Sequence, residues 1–153
     1  LPLGEVADAV APGGPIQAAA TEARQSPPSS LAAAFAEVEV DQETGIVRVL
    51  KLVTAVDCGT VVREGLLRSH VEGATIRGLL GAFAETHLHA KDAPELQPVL
   101  VGGDGGPRAV GDVASDPVAP AIANAIAHAV GARLRGLPLS PERVLQAIPR
   151  GRG

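Results

Sequence analysis

The period of hydrophobic and polar positions changes several times along the 153 residues, and each change marks an element. The clearest signal is a two-residue alternation beginning at Phe35. Ala36, Val38 and Val40 fall on one face and Glu37, Glu39 and Asp41 on the other, as in a half-buried strand. Asp41-Gln42-Glu43-Thr44-Gly45 then reads as a turn, with Gly45 suited to a positive φ. The run Ile46 to Val56 alternates at Val47 and Val49 and becomes continuously apolar, which predicts a β-hairpin whose second strand is the more central one.

From about Glu64 to Thr86 the period becomes helical, with Leu67, Val71, Ala74 or Thr75, Gly78 and Ala82 three or four residues apart. Gly73, Gly78 and Gly81 each cost that helix roughly 1 kcal/mol relative to Ala, a loss tolerated where another backbone or a ligand comes close. Leu96 to Val101 reads as a short strand, held to an edge by Pro98. The glycine run 102–106 reads as a flexible loop. Asp116 is predicted to cap a helix that has Pro117 at its first position. Val118, Ile122, Ile126 and Val130 form its apolar stripe and Gly131 closes it. Ala132 to Leu137 alternates enough for a last strand, and Ser140-Pro141 opens a short helix carrying Val144, Leu145 and Ile148. The order β-β-α-β-α-β-α makes the fold class α+β, a hairpin plus a mixed sheet with packed helices.

Ahead of this module, taken as 34–150, residues 1–33 read as an extended or weakly ordered arm. It carries a short helix around Glu5 to Val10, and Pro and Gly interrupt the rest. Composition then tempers the picture. The 46% hydrophobic content includes only two aromatic residues, Phe35 and Phe83, and 27 of the residues are Ala, so the core is built from small side chains that bury little area each. A net charge of −4 gives no electrostatic footprint for nucleic acid or an acidic membrane surface. No signal peptide or membrane span is visible, and the single Cys58 fits a cytoplasmic protein without a disulfide.

Candidate chemistry is sparse when read from single residues. His70, His87, His89 and His128 lack a metal-binding spacing and read as surface or helix-end residues. Cys58, at a strand end before Gly59, reads as a buried, inert thiol. The glycine run 102–106 lacks the residues of a phosphate loop. Asp112, following Val110-Gly111, is a turn or capping residue or an active-site carboxylate.

Several motifs taken in order say more. Phe35-Ala36-Glu37-Val38-Glu39-Val40-Asp41, Glu43-Thr44-Gly45, Val56-Asp57-Cys58-Gly59 and Val61-Val62 are followed by Val110-Gly111-Asp112, Val118 to Ile126 and Leu137 to Val144. Together they resemble the C-terminal part of the molybdopterin-binding large subunit of the molybdenum hydroxylases. That family comprises the xanthine dehydrogenases, aldehyde oxidases and aerobic carbon monoxide dehydrogenases. The similarity covers 34–88 and 94–148, and the arm contributes Glu5-Val6-Ala7 and Ser26-Pro27-Pro28.

The resemblance implies an oxidoreductase that hydroxylates an aldehyde or N-heterocycle, or oxidises carbon monoxide, on a molybdenum cofactor carried by a pterin. It implies as partners the remaining large-subunit domains or a split subunit, an iron-sulfur subunit and an FAD subunit. The family's catalytic glutamate, a base that must stand within about 3 Å of the oxygen it deprotonates, falls on Asp112, one methylene shorter. The family's cofactor-contacting helix runs Gly-Gln-x-Glu/His-Gly and then Gln-Gly. Ser69-His70-Val71-Glu72-Gly73 and Arg77-Gly78 take those places, so the resemblance puts His70, Gly73, Arg77 and Gly78 at the cofactor. Arg63-Glu64 replaces the usual Asn-Pro, and some fifteen to twenty residues of the family pattern are missing between His89 and Ala93. The alternative is a catalytically inactive structural remnant or subunit-interaction module. A free-standing metal-binding module using His87 and His89 ranks third.

Overall fold

The computed structural model describes residues 3–10, 19, 29–84 and 90–149. Its elements are α1 (Leu3–Val10), β1 (Ala32–Val40), β2 (Val47–Gly59), α2 (Glu64–Phe83), β3 (Glu95–Gly102), α3 (Val118–Val130) and α4 (Pro141–Ala147). The fold is α+β, as the hydrophobic pattern predicted. β1 and β2 form the antiparallel hairpin, and β3 lies parallel to β2 on its other side, so β2 is central and the sheet order is β1-β2-β3. α2 makes the crossover that a parallel pair requires.

The turn between β1 and β2 is held by Asp41. Its Oδ1 accepts from the Glu43 N–H at 2.8 Å and the Thr44 N–H at 3.2 Å. Gly45 has a φ of +76°, and a Cβ there would collide with the Pro141 carbonyl, so α4 packs directly onto the turn. Further along the hairpin, Glu37 pairs with Lys51 but Val38 with Val49, leaving Leu50 as an extra residue in β2. This bulge shifts the alternation by one. Before it Val49 points to the core, and after it Leu52, Thr54, Val56 and Cys58 do so. The continuous apolar run of the sequence is therefore an alternating strand with one phase change.

Both α2 and α3 lie on that inner face. α3 inserts Val118, Ile122 and Ile126 against the small residues Ala34 and Ala36 and against Val38 and Val40 of β1. Leu52, Leu79, Leu139 and Val144 complete the larger of two buried clusters. The second joins Val56 and Cys58 to Val71, Ala74, Val110 and Ala114. Between them Thr54 and Thr75 are both buried, with hydroxyls 3.0 Å apart, and the Thr75 hydroxyl lies 2.8 Å from the Val71 carbonyl. With its one proton directed to that carbonyl, the Thr75 oxygen accepts from Thr54, and both groups are satisfied.

Three expectations change. Ala132 to Leu137 is not a strand: it alternates because Ala132 and Leu134 dip into the core, but it pairs with no strand among the described residues. Its continuation is fixed instead by the Leu139 N–H donating to the Ala82 carbonyl at 2.8 Å. Asp116 does not cap α3. The chain enters that helix through a 3₁₀ turn at Asp112–Ala114, with Pro117 as the residue before the first helical one. The loop at 102–106 is also tied to β2, where Gly59 accepts from the Gly103 N–H and the Gly106 carbonyl accepts from the Thr60 N–H, each at 3.1 Å. The expected helix at Glu5 to Val10 is α1, which starts at Leu3, while His87 and His89 lie outside the described residues.

Candidate functional site

The candidate base is carried by the return of the chain past the end of β2. The Arg108 N–H donates to the Cys58 carbonyl at 3.0 Å, which fastens this segment to the strand. The Arg108 guanidinium forms a close ion pair with Asp57, whose other oxygen accepts from the Gly59 N–H at 3.1 Å. Arg108 also donates to the Ser29 carbonyl at 3.3 Å, and the Ser30 hydroxyl donates to the Ala109 carbonyl at 2.6 Å. Val110 is buried in the second cluster, so Gly111 and Asp112 emerge from a segment anchored on both sides.

Asp112 emerges beside α2. Its Oδ1 is 3.3 Å from Nη2 of Arg77, and its carbonyl accepts from the Ser115 N–H and hydroxyl at 2.9 and 2.7 Å. A Cβ on Gly111 would lie 3.9 Å from Nε2 of His70. The fold thus brings His70, Arg77, Gly111 and Asp112 to one side of α2 although some 35 residues separate the two pieces of chain. Gly73, between His70 and Arg77 on this stripe, is exposed, and a Cβ there would meet nothing within 4 Å among the described residues.

Gly78 is placed differently. A Cβ there would come within 2.5 Å of the Ser115 carbonyl and 2.8 Å of the Val118 Cβ, so its smallness serves the packing of α2 against the start of α3. Cys58 is 2% exposed with Sγ 3.4 Å from the Val101 carbonyl, as expected of an inert thiol. Among the described residues, no three His, Cys, Asp or Glu side chains cluster as metal ligands, and no helix is long and apolar enough to cross a membrane.

The Asp57–Arg108 pair escaped the sequence reading. The two residues are 51 apart, and nothing local to either marks its partner. A cavity of about 360 Å³ beside them, reaching from Cys58 and Pro107 to Leu66 and His70, was equally invisible because its walls come from two stretches, 58–70 and 107–108, that are distant in the chain.

Comparison with known proteins gives this arrangement a context. Residues 4–97 match the family model described as a molybdopterin cofactor-binding domain. Over 133 residues the chain is 35% identical to the membrane-bound aldehyde dehydrogenase (pyrroloquinoline-quinone) of Gluconacetobacter polyoxogenes, covering 76% of this chain and 17% of that protein. Over 143 residues it is 34% identical to a probable xanthine dehydrogenase subunit of Bacillus subtilis, covering 79% of this chain and 19% of that one. The aldehyde oxidoreductase structure from Desulfovibrio gigas superposes with a TM-score of 0.66 at 30% identity, over 74% of this chain and 15% of that one. Carbon monoxide dehydrogenase from Oligotropha carboxidovorans shares the fold with a TM-score of 0.65 at 17% identity, over 79% of this chain and 19% of that one. The chain therefore spans less than a fifth of the length of these relatives.

Proposed function

The chain belongs to the molybdopterin cofactor-binding domain family, homologous to the large subunits of the molybdenum hydroxylases, and on that premise we propose that it forms one wall of a molybdenum hydroxylase active site. The proposed activity is oxidation of an aldehyde, an N-heterocycle or carbon monoxide. It requires the remaining large-subunit domains or a split subunit, with an iron-sulfur subunit and an FAD subunit to take the electrons.

A metal carried on a pterin asks this chain for a wall and a base, not for a set of metal ligands. The residues present fit that demand: the open stripe at Gly73 leaves room for a flat group, and the imidazole of His70 and the guanidinium of Arg77 flank it as hydrogen-bonding partners. Bound there, the cofactor would supply the two-electron redox chemistry. Asp112 acts as general base, taking a proton on a carboxylate oxygen during attack on the substrate. Arg77, with Nη2 3.3 Å from Asp112 Oδ1, tethers this carboxylate beside α2. Gly78 contributes by letting α2 pack closely on the turn that carries Asp112.

The juxtaposition of His70, Arg77 and Gly111-Asp112 carries this reading. A second reading, a catalytically inactive interaction module, draws on the same ion pair. Asp112 is one methylene shorter than the family's glutamate and is held by Arg77, and angstrom-scale misplacement costs a base orders of magnitude in rate.

The test is to purify the chain with its native neighbours and measure molybdenum, pterin and aldehyde or heterocycle oxidation. Stoichiometric cofactor is expected, with Asp112→Asn lowering turnover by about 100-fold or more at unchanged metal content and Asp112→Glu retaining or raising it. Monodisperse assembly without metal or pterin, with partner activity unchanged when the chain is removed, would establish the inactive module instead.

A further inference from the structure

The cavity of about 360 Å³ shares His70 with the proposed cofactor wall and extends from it along Leu67, Leu66 and Arg63 to the end of β2, where the proposed reaction uses no residue. Val62, Leu66, Leu67 and Pro107 make its walls largely hydrocarbon. Its charged margin has one sign. Arg63 and Arg108 line it and no carboxylate does. Asp57 offsets the charge of Arg108, whose Nε is nevertheless buried without a hydrogen-bond partner among the described residues. Among the described residues no carboxylate lies within 4 Å of Arg63, so one positive charge at the mouth is uncompensated.

We propose that this cavity binds a flat aromatic monocarboxylate of one or two rings. The volume sits at the small end of ligand pockets, where one or two rings fill the space. Hydrocarbon walls select an apolar body. Guanidinium and imidazole planes stack on aromatic faces, which favours rings over an aliphatic chain. The carboxylate meets Arg63 at the rim, where its desolvation is small and a charge-assisted hydrogen bond is available. The cavity alone carries this inference, which requires no cofactor, so its test is separate from that of the catalytic reading.

That test is a titration of the full 153-residue chain with 2-naphthoate, followed by ¹⁵N–¹H NMR. Amide shifts should concentrate at Cys58 to His70 and at Arg108, saturating with a dissociation constant of roughly 1 mM or lower, as expected for a ligand of this size. The neutral 2-naphthylmethanol should bind about tenfold more weakly. Arg63→Ala should erase that difference, and Leu66→Asn should weaken both compounds; each residue is exposed and both variants should keep the melting temperature. Absence of shifts at about 10 mM, or equal affinity for the alcohol, would overturn the proposal. So would the same shift pattern with inorganic phosphate, which would show a site for anions without an apolar component.

Discussion

Three glycines on α2 separate packing from openness at the level of single residues. A Cβ on Gly78 meets the Ser115 carbonyl and Val118, and backbone cannot step aside as a flexible side chain can. Gly78→Ala should therefore lower stability by about 1–3 kcal/mol, or several degrees of melting temperature by calorimetry. Gly73 and Gly81 meet nothing within 4 Å among the described residues, so alanine at either should gain about 1 kcal/mol from helix propensity and raise the midpoint by roughly 2–4 °C. Gly73 carries a second consequence of the proposed cofactor wall: the same Gly73→Ala change that stabilises the isolated chain should reduce pterin content in the assembled enzyme. A variant stabilised in both settings would remove Gly73 from the site. The sequence flagged all three glycines as costly in a helix. It could not say which were needed, because Ser115 and Val118 reach α2 from more than thirty residues away.

Short elements here depend on particular carboxylates at their ends, and this makes part of their stability dependent on pH. Backbone N–H donation by Glu43, then the Thr44 hydroxyl and N–H, holds Asp41 below its ordinary range. Glu142 in the first turn of α4 is lowered by its own backbone N–H and by the Ser140 hydroxyl. Both pKa values are depressed on folding, so the stabilisation they bring is fully present above the unfolded carboxylate range and is lost as pH falls through the folded values. Asp41→Asn keeps an acceptor but removes the charge. Its melting temperature should lie below that of the parent at neutral pH, and the difference should close on acidification from about pH 5 downward. A constant gap across that range would show that charge plays no part in the turn. These turn and cap residues were legible in the sequence because their partners lie within a few positions. Ala132 to Leu137 was misread for the opposite reason. Alternating burial is necessary for a strand but not sufficient, and whether a neighbouring strand edge is available is not written in the segment itself.

The whole molecule shows how much of its sheet the chain covers. The two long helices occupy one face, while Phe35, Val99 and Val101 on the other are 68%, 37% and 49% exposed. Phe35 stands opposite Val53 in the register, so one of the chain's two aromatic residues adds cross-strand contact but little burial. Leu52, one residue along β2 and pointing the other way, is fully buried. The two positions should therefore respond very differently: Leu52→Ala should cost about 2–5 kcal/mol, whereas Phe35→Lys should change unfolding free energy by about 1 kcal/mol or less. Because an open apolar face promotes association, Phe35→Lys should also reduce concentration-dependent light scattering of the isolated chain at nearly unchanged melting temperature. A large loss of stability in Phe35→Lys would mean that the outer face is part of the folding core. The Ala-rich composition that predicted a thin core would then have to be reconciled with two covered faces instead of one.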